Sequence, residues 1–410
     1  MSLAAGEALP ADDAAAALAD GQALTRARHA LMAGNFAIGC GVMVVAGSLN
    51  DLVTSLQVSV AVGGQLISVA AVCMALGAPL LAAALSRWDR RALLTLALAW
   101  YALWHAVCAW MPTYAALLPL RALAVLGAAV FTPQAAAAIT ALAPPAERGR
   151  AIAFIFLGWS VSSVVGMPLT AWVAETMGWR WAFGLVALLG AGAAVWVWRA
   201  LPSGIRTQAL SRQDWKLALT HPLLIGVVAV TALSSAGQFT VFSYFAPYYR
   251  QVLGATPAQV SLLFLWFGAF GLAGNMLVGR GIDRFGAARF ATGAIAAMAV
   301  SLALWPLAVG VASMAVVLVP WALGCFSSNS SQQARLGVSA PALAGASMAL
   351  NTSAIYVGQA AGSAGGGAWL AAAGFDGLNG LGLGWMLLAV ALSVWLGRRA
   401  ARQAPARGLA

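Results

Sequence analysis

The sequence predicts an all-α integral membrane protein: twelve transmembrane helices in two six-helix bundles related by a pseudo-twofold axis. Three observations carry this. First, 62% of the 410 residues are hydrophobic and only 8% charged, with mean hydropathy +0.87. Soluble domains carry about 25% charged residues, so lipid must be the main solvent here. Second, apolar runs of spanning length recur along the whole chain. Third, the two halves repeat each other in a fixed register.

The elements follow in order. Residues 1–28 are Ala-rich and carry Glu7, Asp12, Asp13 and Asp20. A signal peptide would begin with basic residues, so this segment is expected as a retained, disordered cytoplasmic tail. Apolar runs then occupy 30–49, 59–85, 92–111, 115–141, 150–173 and 180–199, within a first bundle of 29–200. A linker spans 201–221, and its Arg212–Leu219 piece is amphipathic, as suits a membrane surface. The second bundle, 222–398, holds runs at 222–246, 257–280, 288–310, 313–336, 343–373 and 380–397. Residues 399–410 form a basic cytoplasmic tail. Each run reaches the roughly 20 residues that a span needs. None alternates in the manner of a membrane barrel strand, and helices are the other way to satisfy the backbone in hydrocarbon.

Orientation comes from the basic residues. With the N-terminus inside, all but three of the 22 Lys and Arg fall on the cytoplasmic side; only Arg121, Arg180 and Arg250 fall toward the outside. This is the positive-inside pattern. The net charge of +11 is therefore a topology signal facing anionic lipid and excludes nucleic acid as the partner. The four cysteines (Cys40, Cys73, Cys108, Cys325) lie in apolar runs without metal-ligand spacing. No metal and no cofactor is expected.

The repeat has an offset of 197 residues: Ser59 aligns with Thr256, Gly77 with Gly274, Arg87 with Arg284, Trp88 with Phe285 and Gly127 with Gly324. A duplicated six-helix unit places a substrate site between the halves, near mid-membrane.

The loop after the eighth span reads Gly279-Arg280-Gly281-Ile282-Asp283-Arg284-Phe285-Gly286. It resembles the G-x-x-x-D-R-x-G motif of the major facilitator superfamily. There Gly279 allows close helix approach, Gly286 makes the turn, and Asp283 with Arg284 forms a conformational latch. The first-half copy departs from the motif: Ser86 stands for Asp and Asp89 for Gly, so Asp89, Arg90 and Arg91 are its candidate latch residues. The fourth span carries Arg121, then Gly127 and Pro133, similar to the family's intramembrane Arg followed by Gly. The fifth span has Gly158, Gly166 and Pro168, followed by Gly178-Trp179-Arg180-Trp181-Ala182-Phe183. This looks like the twelve-helix drug/proton antiporter branch, and the Gly-x-Pro variant is similar to its arabinose, purine nucleoside and chloramphenicol efflux group. Residues Gly237–Pro247 in the seventh span point the same way.

Polar residues within spans are few, so each is a candidate. For the substrate cavity they are Asn35, Gln134, Gln238, Phe242, Tyr244, Asn329, Gln332, Asn351 and Gln359. Ser327–Gln333 is a polar run that no lipid-facing helix would keep. Since no acidic residue lies deep in a span, the ligand is expected to be neutral or anionic. For proton coupling, Asp51 and Arg121 both lie toward the outside and are expected to pair; His105 could relay protons. Each has a structural alternative: a helix-end carboxylate, a snorkelling Arg, a packing His.

The resemblance implies a secondary active transporter: proton-coupled efflux of small polar or amphipathic compounds (a sugar, nucleoside or drug) by alternating access. It implies a multi-pass monomer in the bacterial inner (cytoplasmic) membrane, both termini cytoplasmic. An importer or facilitator of the same fold is the alternative, and a non-transporting membrane sensor a remote one. An enzyme is not expected: no HExxH, GxSxG, Walker or CxxC pattern occurs, and His29, His105 and His221 are scattered.

Overall fold

The computed structural model describes residues 11–85, 87–144, 147–205, 212–339 and 343–403. Ser86 of the first-half loop, residues 1–10, part of the 201–221 linker and the end of the basic tail lie outside the described residues.

The first half runs α1 (Ala11–Ser55), α2 (Val60–Ala84), α3 (Arg90–Ala109), α4 (Tyr114–Leu142), α5 (Arg148–Val161), a π-turn (Ser162–Gly166), α6 (Met167–Met177) and α7 (Trp179–Ala200). A short helix α8 (Arg212–Thr220) follows. The second half runs α9 (Pro222–Phe242), α10 (Phe245–Gln251), α11 (Pro257–Met276), α12 (Val278–Phe285), α13 (Ala287–Leu304), α14 (Val311–Ser339), α15 (Ala344–Ala373) and α16 (Leu378–Gln403). Among the described residues, eleven helices are long and apolar enough to cross a membrane. The remaining expected span is α15, whose 30 residues are long enough but are diluted by Gly, Ser and Asn. It packs against α2 and α9, with Met348, Val357 and Trp369 exposed on its outer face.

The expected disordered tail is corrected over residues 11–28. They are the first turns of α1, with Thr25 Oγ1 donating to the Gly21 carbonyl at 2.8 Å and Ala27 fully buried. Alanine has the highest helix propensity, and an already formed span supplies the nucleus that an isolated helix lacks.

The repeat seen in the sequence recurs in space. A Cβ on Gly127 would meet the Ala97 carbonyl and Tyr101, and one on Gly324 would meet the Ala294 carbonyl and Met298, the same positions 197 residues on. Gly77 faces Leu126 as Gly274 faces Leu323. Ser59 and Thr256 both accept from backbone N–H groups at the starts of α2 and α11. Close contact through glycine lets helix backbones approach without a hydrophobic driving force, as bundles in lipid require.

Large apolar side chains on the outer faces, such as Leu188 at 70% exposure, suit acyl chains. The halves meet mainly at the end far from the termini. There Ser363 donates to the Gly64 carbonyl across α2 and α15, α1 touches α10, and α11 packs on α6 and the π-turn.

Candidate functional site: a charge-free central cavity

Between the halves lies a cavity of about 550 Å³. Its walls come from α1, α2, α4, α5, the π-turn, the start of α6, α9, α11, α14 and α15. At the terminal end it reaches Ile152, Asn275, Gln333 and Thr352, all near the terminal-side ends of their helices. At the far end the halves are in contact. The structure is therefore open toward the chain termini and closed opposite them.

Among the described residues, no Asp, Glu, Lys, Arg or His lines this cavity. One wall is aromatic: Phe242 packs on Phe239 and Phe267 with ring centroids 5.6 and 5.5 Å apart. Ser328, Asn329, Ser330, Gln332 and Gln333 of α14 make a polar strip in the lining. The volume falls in the range of roughly 300–1,000 Å³ usual for small-molecule pockets.

The expected cavity residues divide. Gln238, Phe242, Asn329, Gln332 and Gln359 line it. Gln238 Nε2 donates to Met298 Sδ at 3.3 Å, and Cys325 Sγ lies 3.5 Å from its Oε1. Asn35, Gln134, Tyr244 and Asn351 do not line it. Asn35 is a helix clamp: its amide donates to the Ile155 carbonyl at 3.0 Å and accepts from Thr132 Oγ1 at 3.1 Å. Gln134 is buried, one residue past lining Pro133. Tyr244 donates to the Ser363 carbonyl at 2.7 Å, beneath Gly64 and Gly367. Asn351 stands behind the wall, accepting from Thr231 at 2.6 Å and donating to Asn329 at 3.4 Å.

Asp51 and Arg121 do not pair. Asp51 Oδ2 accepts the Trp179 backbone N–H at 2.7 Å, capping α7 where Gly178 turns with φ +105°. Arg121 is wholly buried. It donates through Nη1 to His105 Nε2 at 2.8 Å and through Nη2 to the Gly41 and Val42 carbonyls at 2.8 and 3.4 Å. Its guanidinium stands 5.9 Å from the Phe183 ring. Since Arg only donates, His105 Nε2 accepts and Nδ1 carries the hydrogen, donating to the Tyr101 carbonyl at 2.8 Å. Arg121 has no carboxylate partner among the described residues; the one ion pair there joins Arg250 Nε to Glu175 Oε2 at 3.8 Å.

The fifth-span glycines have defined contacts. A Cβ on Gly158 would strike the Met32 carbonyl, and one on Gly166 the Cys40 sulfur. Pro168 has no N–H to donate, and the helix widens before it, with the Met167 N–H reaching back to the Ser162 carbonyl. Gly268 of α11 rests on the Ser163 carbonyl there.

The latch residues sit at the open end. Asp89 caps α3, accepting from Ala92 N at 3.1 Å, and also accepts from Gly204 N at 2.6 Å. Arg90 donates to the Leu85 and Trp88 carbonyls at 3.2 and 3.3 Å, and Arg91 lies 4.2 Å over Trp198. These contacts tie the first-half loop to its own half. Asp283 is exposed and makes no hydrogen bond or ion pair with another described residue, while Arg284 lies 5.1 Å over Phe285. Gly286 has φ +78°, as a turn needs. The role expected of Gly279 is corrected: a Cβ there meets nothing, and it is Gly281 that is crowded, by Phe290.

Two features escaped sequence reasoning. Trp159, Ser160 and Ser163 line the cavity from the fifth span; their spacing around Gly158 and Gly166 was the available signal. Glu175 bridges the halves, accepting from Asn50 Nδ2 at 2.7 Å as well as facing Arg250. Among the described residues no three His, Cys, Asp or Glu gather as metal ligands.

A duplicated helical bundle around a central cavity, closed at one end, is the architecture of a multi-pass membrane transporter. Comparison with known proteins gives the family: residues 31–363 match the model for the Major Facilitator Superfamily. The chain belongs to that superfamily. It is 29% identical over 343 residues to the inner membrane transport protein YdhP of Escherichia coli strain K12, covering 84% of this chain and 88% of that one. It is 33% identical over 252 residues to the chloramphenicol resistance protein of Streptomyces lividans, covering 60% and 64%. A crystal structure of a D-xylose-proton symporter superposes with TM-score 0.73 at 19% identity, over 90% of this chain and 97% of that one.

Proposed function

We propose that this chain is a proton-coupled exporter of small amphipathic compounds, working by alternating access as a monomer. It resides in the bacterial inner membrane with both termini cytoplasmic, so that the open end of the cavity faces the cytoplasm. The observation that carries this reading is the cavity between two repeated halves, partly aromatic and lined by no charged residue among those described, open on the side where basic residues gather. Substrate enters from the cytoplasm; the halves rock, the far end opens, and substrate leaves outward.

The coupling centre in this reading is the Arg121–His105 pair. A proton arriving at His105 Nε2 converts an acceptor into a donor, so Arg121 must let go. The two cations then repel within the first half. Asp51, engaged as a helix cap, is left to a structural role.

The test uses purified protein in vesicles with an imposed pH gradient. Chloramphenicol is one probe, because the Streptomyces relative is named for resistance to it, and a pentose is a second. Uphill movement of either, driven by an opposing proton flux and abolished by His105→Gln, supports the proposal. Movement that ignores the pH gradient removes the coupling, and retention of both probes in every gradient removes the exporter.

A further inference from the structure

Three side chains in the cavity wall, Gln332, Trp159 and Ser243, carry a buried polar atom with no partner among the described residues, and in Gln332 both ends of the amide are so placed. Gln332 on α14 is 1% exposed, lines the cavity, and neither its Nε2 nor its Oε1 has a hydrogen-bond partner among the described residues. Its neighbours are satisfied: Ser328 donates to the Cys325 carbonyl at 3.0 Å, and Asn329 accepts from Asn351. Buried polar atoms are nearly always paired, and leaving both ends of an amide unpaired is unfavourable. The facing half repeats the pattern. Trp159 also lines the cavity, and its buried Nε1 has no acceptor.

We infer that Gln332 determines specificity, and that the cavity takes an uncharged aromatic compound presenting a donor and an acceptor side by side. A carboxamide, a lactam or a nucleobase edge has this form. Gln332 Nε2 donates to the ligand carbonyl while Oε1 accepts from the ligand N–H. The Trp159 N–H takes a second ligand acceptor from the other half, and the aromatic portion lies against Phe239, Phe242 and Phe267. A carboxylate offers only acceptors, so it leaves Oε1 empty and brings a charge to a cavity with no cation in its wall. An ammonium offers only donors and leaves Nε2 empty, with no carboxylate to meet it. Sequence reasoning alone allowed anions; the cavity wall removes them. The inference rests on this cavity being the transport site.

The experiment uses full-length protein in lipid nanodiscs and three probes on one skeleton. N-acetylphenylalaninamide is uncharged, N-acetylphenylalanine is an anion and phenylalaninamide a cation. Equilibrium dialysis is expected to show the uncharged probe binding about tenfold or more tightly than either ion. Gln332→Leu is expected to weaken that binding about ten- to a hundredfold, yet to melt no lower than wild type, because it removes two unpaired buried atoms. Gln332→Glu is expected to turn the preference toward the cation. Equal binding of all three probes, binding of none, or a Gln332→Leu protein that melts lower and binds normally each overturns the inference. Movement of the same probes in vesicles separates the two readings. Selective binding without movement sinks the exporter and leaves this assignment, whereas equal movement of all three sinks the assignment and leaves the exporter.

Discussion

At Arg121 a guanidinium is buried in a membrane helix with an imidazole and two carbonyls for company. Each acceptor comes from α1 or α3, so the side chain joins three helices through one fork. His105→Phe would strand a charged donor, a change worth about 1–3 kcal/mol, whereas His105→Gln can still offer a carbonyl to the same Nη1. Thermal unfolding in detergent is expected to show the first variant destabilised and the second near wild type. Equal melting of the two would mean that the Arg121–His105 bond contributes nothing to the fold. The sequence placed Asp51 and Arg121 at similar depth but could not say which way each points. A span that is apolar all round carries no sign of its facing side, so the partner of Asp51 was legible only once α7 was in place. The same ignorance of direction put Asn35 and Tyr244 in the cavity when both bond between helices.

At the scale of elements, the fifth span shows how one residue re-aims several. Pro168 removes a donor, the π-turn forms, and Ser163 is carried to the surface on which Gly268 rests. Pro168→Ala restores the donor and lets an ordinary α-helix form, which turns Trp159 and Ser163 relative to residues beyond the turn. Such a variant is expected to melt at or above wild type, since Pro in a helix interior is unfavourable by about 3 kcal/mol, and to transport several-fold more slowly. Vesicle transport measured beside melting checks this; unchanged transport would make the π-turn incidental. The motif was visible in the sequence, but what its glycines touch was not. The π-turn itself was not visible, because the 3.6-residue pattern of an all-apolar segment does not register one extra residue. Helix starts were legible where chemistry marks them, as at Ser59 and Thr256, and poorly so in the Ala-rich entry to α1.

For the whole molecule, the far-end seal decides which side is open. Asn50 and Arg250 hold Glu175 between the halves, with Arg250 40% exposed. A pair so solvated is worth about 0–1 kcal/mol, enough to shift a two-state balance up to about fivefold. Glu175→Ala is therefore expected to raise the population open at the far end by a few-fold, read as a lengthened inter-half distance between spin labels at that end. An unchanged distance distribution would assign the seal to the glycine contacts of α2 and α15 alone. The repetition of the halves was legible, since the 197-residue offset survives as equivalent contacts at Gly127 and Gly324. Which end is closed was not, because under the proposed alternating access both conformations belong to one sequence.

The buried guanidinium of Arg121, with no carboxylate partner among the described residues, has an electrical consequence. A rigid body that tilts with an unneutralised charge aboard carries that charge through part of the transmembrane field. A full crossing is worth about 2.3 kcal/mol per 100 mV, so a tenth of one is worth about 0.2 kcal/mol. Turnover should therefore respond to an imposed diffusion potential even for a ligand with no charge of its own, and Arg121→Gln should flatten that response. A wild-type rate independent of voltage would mean that Arg121 does not travel.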